Sequence, residues 1–206
     1  MVMEIKISKK PVKYEEAIEY LDERVHQVSQ NRNEELIWFL EHKSVYTCGV
    51  NFNKKDVLDK NVKIVKTNRG GKITWHGPGQ LICYFVIDIS RRKKDIRKFI
   101  TVIENSIIET LKDFKISSFS DRKNIGIWVL DKNEEKKIAA IGFRVKKWIA
   151  FHGFSLNLSN NLDDYKKIVP CGISDKGISK IYNFKRVSKD KIINRLKVNL
   201  IKNLKY

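Results

Sequence analysis

Four of the chain's ten glycines and one of its three prolines fall within twelve residues, RGGKITWHGPGQ, Arg69 to Gln80. Glycine permits positive φ and lets one backbone lie directly against another, or against a ligand. A lysine-rich, glycine-poor chain that concentrates its permissive backbone here needs a close approach at this point. Two phosphate-cradling loops are excluded. A P-loop needs Gly at position 66 and Ser or Thr after Lys72, where the chain has Lys66 and Ile73, and no G-x-G-x-x-G occurs. A hairpin turn at RGG followed by a bend at GPG is the purely structural reading.

The flanking periodicities set the fold class. Tyr14, Ala17, Ile18, Leu21, Val25 and Val28 recur at helical spacing, so 13–30 reads as an amphipathic helix. ELIWFL, SVYTCG, VKIVKT, KITWH and QLICYFVIDI read as strands. Asp95 can cap a helix with an apolar face of Ile96, Phe99, Ile100, Ile103, Ile107 and Leu111. NIGIWVL and KKIAAIGFRV read as a hairpin across DKNEE, WIAFHGFSLNL as a further strand, and about 188–204 as a last helix. Strands in meanders interrupted by a few helices, without strict β-α-β alternation, predict an α+β fold with a mixed sheet. One domain spanning 1–206 is expected.

No apolar run approaches a membrane span, and the start, MVMEIKISKK, lacks a signal peptide's apolar core. Cys48, Cys83 and Cys171 form no C-x-x-C and cannot all pair, which fits a reducing, cytoplasmic setting and disfavours a zinc ribbon. The net charge is +18. A lysine-decorated solvated surface, a basic face for an acidic protein partner and nucleic-acid binding all remain open on charge alone. Nucleic acid is disfavoured because the excess is scattered and carried by thirty-two lysines against ten arginines. The densest basic run is SRRKKDIRKF, residues 90–99.

Two further stretches, KKIAAIGFRVKKWIAFHG (136–153) and VPCGIS (169–174), join the glycine-rich segment in a recognisable order. The elements are R-G-G-x-x-T-[aromatic]-H-G-P-G-Q, K-I-x-x-I-G-x-R-V-x-x-W from Lys137, H-G-x-x-x-N from His152, and P-C-G around Cys171. Together, over about residues 30–185, the chain resembles the lipoyl(octanoyl) transferase family. Trp75 stands where that pattern has Tyr, keeping the aromatic face and losing the hydroxyl.

The resemblance implies a fold related to the biotin and lipoate protein ligases, a mixed sheet with helices on one side. It implies transfer of an octanoyl group from octanoyl-acyl carrier protein to lysines of lipoyl domains: those of 2-oxoacid dehydrogenase E2 subunits and the glycine cleavage H protein. By the same resemblance Cys171 is the nucleophile and Lys137 its partner. Arg69, Gly70, Gly71, Lys72, Ile73, Thr74, Trp75 and His76 line the substrate site, as do Ala140, Ile141, Gly142, Gly153, Phe154 and Ser155. No ATP or metal is expected, since phosphopantetheine arrives on the donor and the donor thioester is already activated.

The residue types suit that chemistry. A thiol at its ordinary pKa of about 8.5 is mostly protonated at neutral pH and needs a cationic neighbour. His76 and His152 lie in the right segments; the family pattern points to Lys137 instead, whose ammonium favours a thiolate and can move protons. Lys136 is adjacent, but side chains alternate on a strand, so only one of the two lysines can face the site. Cys83, mid-strand in LICYFVI, and Cys48 read as core packing. His76 reads either as a hydrogen-bonding group near the reacting carbon or as a satisfied structural histidine. The rival on the same fold is an ATP-dependent lipoate or biotin ligase, which would not need Cys171. A basic nucleic-acid-binding module is the rival from another class.

Overall fold

A computed structural model describes residues 3–173 and 175–206. In chain order the elements are β1 (Met3–Ile7), α1 (Tyr14–Ser29), β2 (Glu35–Leu40), β3 (Val45–Cys48), β4 (Ile64–Lys66), β5 (Ile73–His76) and β6 (Gln80–Asp88). There follow α2 (Ile96–Asp113), β7 (Phe119–Ser120), β8 (Ile127–Asp131), β9 (Glu134–Lys146), β10 (Ile149–Asn157), β11 (Gly177–Ile178) and α3 (Lys189–Asn203). An eight-stranded sheet runs β1-β2-β6-β10-β9-β8-β7, with β11 beside β9, and β4-β3-β5 form a separate small sheet. Parallel pairs (β1 with β2, β9 with β11) sit among antiparallel ones, so the sheet is mixed and the class α+β, as expected.

The helices do not lie on one side. Alternation along β2 and β6 divides the apolar residues between two faces. Leu36, Trp38, Ile82, Tyr84 and Val86 pack against Ala17, Leu21 and Val28 of α1. Ile37, Phe39, Cys83, Phe85 and Ile87 pack with Phe99, Ile103 and Ile107 of α2 and Ile193, Leu196 and Leu200 of α3. A strand apolar on both faces must be covered on both, and β2, buried throughout, is such a strand. Asp95 caps α2 as expected, its carboxylate accepting from Lys98 N at 2.9 Å. Ile96 is 39% exposed rather than part of that helix's buried stripe. Strand β1 was not anticipated; its alternation is real, with Met3 and Ile5 against the core and Glu4 ion-paired to Arg24 at 2.6 Å.

Gly153, in the middle of β10, pairs with Gly142 on one side and Tyr84 on the other. A Cβ there would overlap the Cys83 carbonyl. The obstacle is backbone in the centre of the sheet and cannot swing aside. Gly153→Ala is therefore expected to cost about 3 kcal/mol or more and to lower Tm by roughly 6–12 °C. A thermal unfolding shift under about 1 °C would contradict the packing described.

A candidate active site between the two sheets

A cavity of about 610 Å³ opens between the small sheet and the large one. The RGG segment and β5 form one wall: Arg69, Gly70, Gly71, Lys72, Ile73, Thr74 and His76. Strands β9 and β10 form the other, through Ala140, Ile141, Gly142, Gly153, Phe154 and Ser155, with Ile82 and Tyr84 of β6 beside them. Cys171 and Lys137 border the same space. The glycine concentration now has its cause: a Cβ on Gly70 would meet the Phe143 carbonyl at 2.9 Å, so the loop lies directly across β9.

Trp75 is the exception among the residues assigned to the pocket. Period-two alternation turns Thr74 and His76 toward the large sheet and Trp75 away from it. Its indole packs edge-on against Tyr165 at 5.6 Å, within the small sheet's own core, and Nε1 donates to Ser44 Oγ at 2.9 Å. Arg69 lines the cavity, and the two terminal nitrogens of its guanidinium donate to protein, to Gly70 O, Thr47 O and Thr47 Oγ1 at 2.9–3.0 Å, tying the loop to β3.

Cys171 lies in a short 3-10 turn, Pro170–Gly172, held by Val169 N to Asp56 O (2.7 Å) and Gly172 N to Val169 O (3.0 Å). It is partly exposed, with φ +57, and Gly172 continues the left-handed path at φ +65. A left-handed non-glycine residue costs on the order of 1–2 kcal/mol. The surrounding turn holds it there and presents the sulfur at the cavity. Lys72 Nζ lies over Gly172, where a Cβ would collide with it. Cys83 and Cys48 are buried in two different cores, and burial pushes the Cys83 thiol well up.

Lys137 reaches the cavity because β9 carries a bulge. Trp128 pairs with Lys137 but Ile127 with Ala139, leaving Ile138 unmatched. Ile138 and Ala139 consequently both enter the α2–α3 core, although they are consecutive. Lys137 is only 4% exposed. Its ammonium donates to Ile125 O at 3.1 Å and sits 4.8 Å from the Trp128 ring centroid. Of its three N–H bonds, the Ile125 carbonyl takes one; no other acceptor is found among the described residues. Lys136 points the other way and pairs with Glu134 at 2.9 Å. No carboxylate is among the described residues lining the cavity, whereas Arg69, Lys72, Lys123 and Lys137 are. The local field therefore favours anions.

The two site histidines differ. His152 has φ +68 within β10 and stacks on its neighbour Phe151 (4.9 Å, 26°), so both rings lie on one face. Its Nε2 bonds Asn68 Oδ1 at 2.9 Å, latching the residue before Arg69 to the large sheet, and it does not line the cavity. Burial, with Arg69 and Arg144 nearby, lowers its pKa to about 4. His76 does line the cavity; burial foremost, then His42 and Arg69, lowers its pKa to about 3. Lining residues that sequence reasoning missed include Asn51, Lys123, Asn124 and Ile125. Asn51 and Lys123 come from loops without a periodic signal; Asn124 and Ile125 open the stretch read as a strand but lie in the loop before β8, where Ile125 O meets the Lys137 ammonium.

Two sheets enclosing a cavity that a cysteine turn and a buried lysine both border define an α+β catalytic domain. The model of the lipoyl protein ligase A/B catalytic domain family matches residues 13–201, and the chain belongs to that family. Among curated proteins it is similar to an octanoyltransferase of Bartonella tribocorum, 44% identical over 191 residues, covering 88% of this chain and 78% of the relative. Among solved structures it shares its fold with the bi-partite lipoate protein ligase of Thermoplasma acidophilum: TM-score 0.75, 16% identity, 99% of this chain and 85% of that one. A biotin protein ligase of Aquifex aeolicus solved with biotin and ATP is a more distant fold neighbour, at TM-score 0.51, 14% identity, 77% of this chain and 70% of that one.

Proposed function

We propose that the protein is an acyltransferase of protein lipoylation. It moves an octanoyl group from the thioester of octanoyl-acyl carrier protein, through a Cys171 thioester, to a lysine of lipoyl domains. The observation that carries this reading is that Cys171 and the buried Lys137 border one cavity, with no carboxylate among the described residues that line it. The similarity to proteins named octanoyltransferase supports it. Apolar wall from Ile82, Ile141, Phe143 and Phe154 suits an alkyl chain, each buried CH₂ contributing about 0.8 kcal/mol.

In the first half, the Cys171 thiolate, paired with the Lys137 ammonium, attacks the donor carbonyl carbon. The carbonyl π electrons move to oxygen, then return and break the bond to the carrier sulfur, which takes a proton from Lys137. In the second half, an acceptor lysine that has shed one proton to solvent attacks the acyl-cysteine. Its remaining surplus proton passes to the neutral Lys137, the C–S bond breaks, and Cys171 leaves as thiolate beside the restored ammonium. The balance is donor thioester plus ammonium giving amide, thiol and one proton.

Thioester exchange is near neutral and thioester to amide is downhill, so the cycle needs no nucleotide. Lipoyl domains of 2-oxoacid dehydrogenase E2 subunits and the glycine cleavage H protein are the acceptors in this reading, and the cytoplasm its setting. No helix among the described residues is long and apolar enough to cross a membrane. Lys93, Lys94, Arg97 and Lys98, exposed in sequence around Ile96, which lines the cavity, suit an acidic donor protein. Incubation with octanoyl-acyl carrier protein and an unmodified lipoyl domain, without ATP, is expected to yield octanoylated domain. A strict ATP requirement would assign the chain to the ligases instead.

A further inference from the structure

One side chain on the cavity wall has its proton placed by groups behind it. Asn157 Nδ2 donates to Ser179 O at 3.0 Å. That acceptor is a backbone carbonyl, so the Asn157 amide can face only one way. Its Oδ1 then accepts from Gln80 Nε2 at 2.9 Å and Asn160 Nδ2 at 3.2 Å. Gln80 Nε2 also meets the Tyr165 hydroxyl at 2.7 Å. With the Gln80 amide oriented by these partners, its Oε1 faces His76 Nδ1 at 2.7 Å. An amide oxygen only accepts, so Nδ1 carries the proton and Nε2 presents a lone pair. The ring lies nearly parallel to Tyr14 (6.4 Å, 8°). Nε2 has no partner among the described residues, and His76 borders the cavity that Cys171 and Lys137 share.

We propose that His76 Nε2 is a specific hydrogen-bond acceptor for the N–H of the incoming primary amine, aiming the amine's lone pair at the acyl carbon during the second half of the transfer. This rests on the two-step reading through Cys171. The first half offers no amine, so the residue acts on one half-reaction only. Burial beside Arg69 and His42 keeps the imidazole neutral at working pH, so His76 takes a hydrogen bond rather than a proton; the protons follow the route through solvent and Lys137. A relay ending on a backbone carbonyl, with no carboxylate in it, suits an acceptor that must stay uncharged.

Rapid-quench mass analysis separates the halves, using octanoyl-acyl carrier protein for acylation and a lipoyl domain for discharge. His76→Phe keeps a flat ring against Tyr14 and removes both nitrogens. Discharge is expected to slow about 10- to 100-fold, the worth of a well-placed hydrogen bond to a polar substrate. Acylation should fall markedly less than discharge, and a single cooperative thermal transition shows that the protein is folded. His76→Gln, which returns an acceptor, should recover part of the discharge rate. Equal losses in both halves, or no loss in either, would overturn the proposal. An unsubstituted protein that forms no acyl-cysteine would overturn the two-step reading beneath it. Independently of any variant, ¹⁵N spectra of the imidazoles should show His76 as the Nδ1–H tautomer, with Nε2 shifting when the lipoyl domain binds the acylated protein. An Nε2–H tautomer would refute the assignment.

Discussion

Cys171→Ala is expected to reduce octanoyl transfer by at least on the order of 10³-fold, because the covalent route is removed and no second thiol is among the described residues lining the cavity. The substitution is clean. Alanine keeps the Cβ, so the left-handed backbone at φ +57 carries the same strain with either residue. The turn around it is held by backbone hydrogen bonds at Val169, Gly172 and Ile173, none of which uses the thiol. Stability should therefore change by less than about 0.5 kcal/mol. Cys48→Ala and Cys83→Ala remove thiols from closed cores. They should cost some stability through the cavities left behind and retain transfer. Steady-state rates of lipoyl-domain octanoylation measure all three. Transfer that survives Cys171→Ala and falls in either of the other two would relocate the nucleophile.

Lys137→Met is the second large effect. Methionine matches the stem in length and shape and deletes the ammonium, with its bond to Ile125 O and its place over Trp128. Acylation at neutral pH should fall about 10²- to 10⁴-fold. Folding should be little affected, since exchanging a buried ammonium for an apolar side chain of similar volume is often neutral or favourable. The two roles assigned to this lysine separate with pH. Loss of cationic support for the thiolate is relieved in alkali, where hydroxide ionises the thiol unaided, so the deficit should narrow as pH rises. A deficit that stays constant would leave proton transfer as the whole role. Single-turnover acylation from neutral to alkaline pH reads this directly.

How far the chain could be read without coordinates depended on whether a residue followed its local period. Helix α1 and strand β9 obeyed theirs and were legible to within a residue or two, whereas β8 begins at Ile127, three residues after the start read from NIGIWVL. So was the opposition of Lys136 and Lys137. Short β1 has a true alternation, but five residues give a period little contrast. The division of helices between two faces was written in β2, where five consecutive apolar residues follow Glu35, and went unread. Trp75 was assigned to the pocket by motif, against the alternation that sends it into the small sheet's core. Other placements depend on departures from period that no local rule announces. The bulge at Ile138 decides which neighbours share a face with Lys137, and the positive φ of His152 brings its ring beside Phe151. Gln80 and Asn157 were quoted within motifs without a role, because a relay closing on the Ser179 carbonyl joins residues distant in sequence.

The central claim, that Cys171 carries the acyl group between donor and acceptor, is tested most directly by intact mass and peptide mapping. The protein is mixed with octanoyl-acyl carrier protein in the absence of nucleotide, then chased with a lipoyl domain. The predicted result is a single octanoyl group on the Cys171 peptide that disappears as the lipoyl-domain lysine gains it. A product that forms with no covalent adduct, or an adduct confined to Cys48 or Cys83, would contradict it.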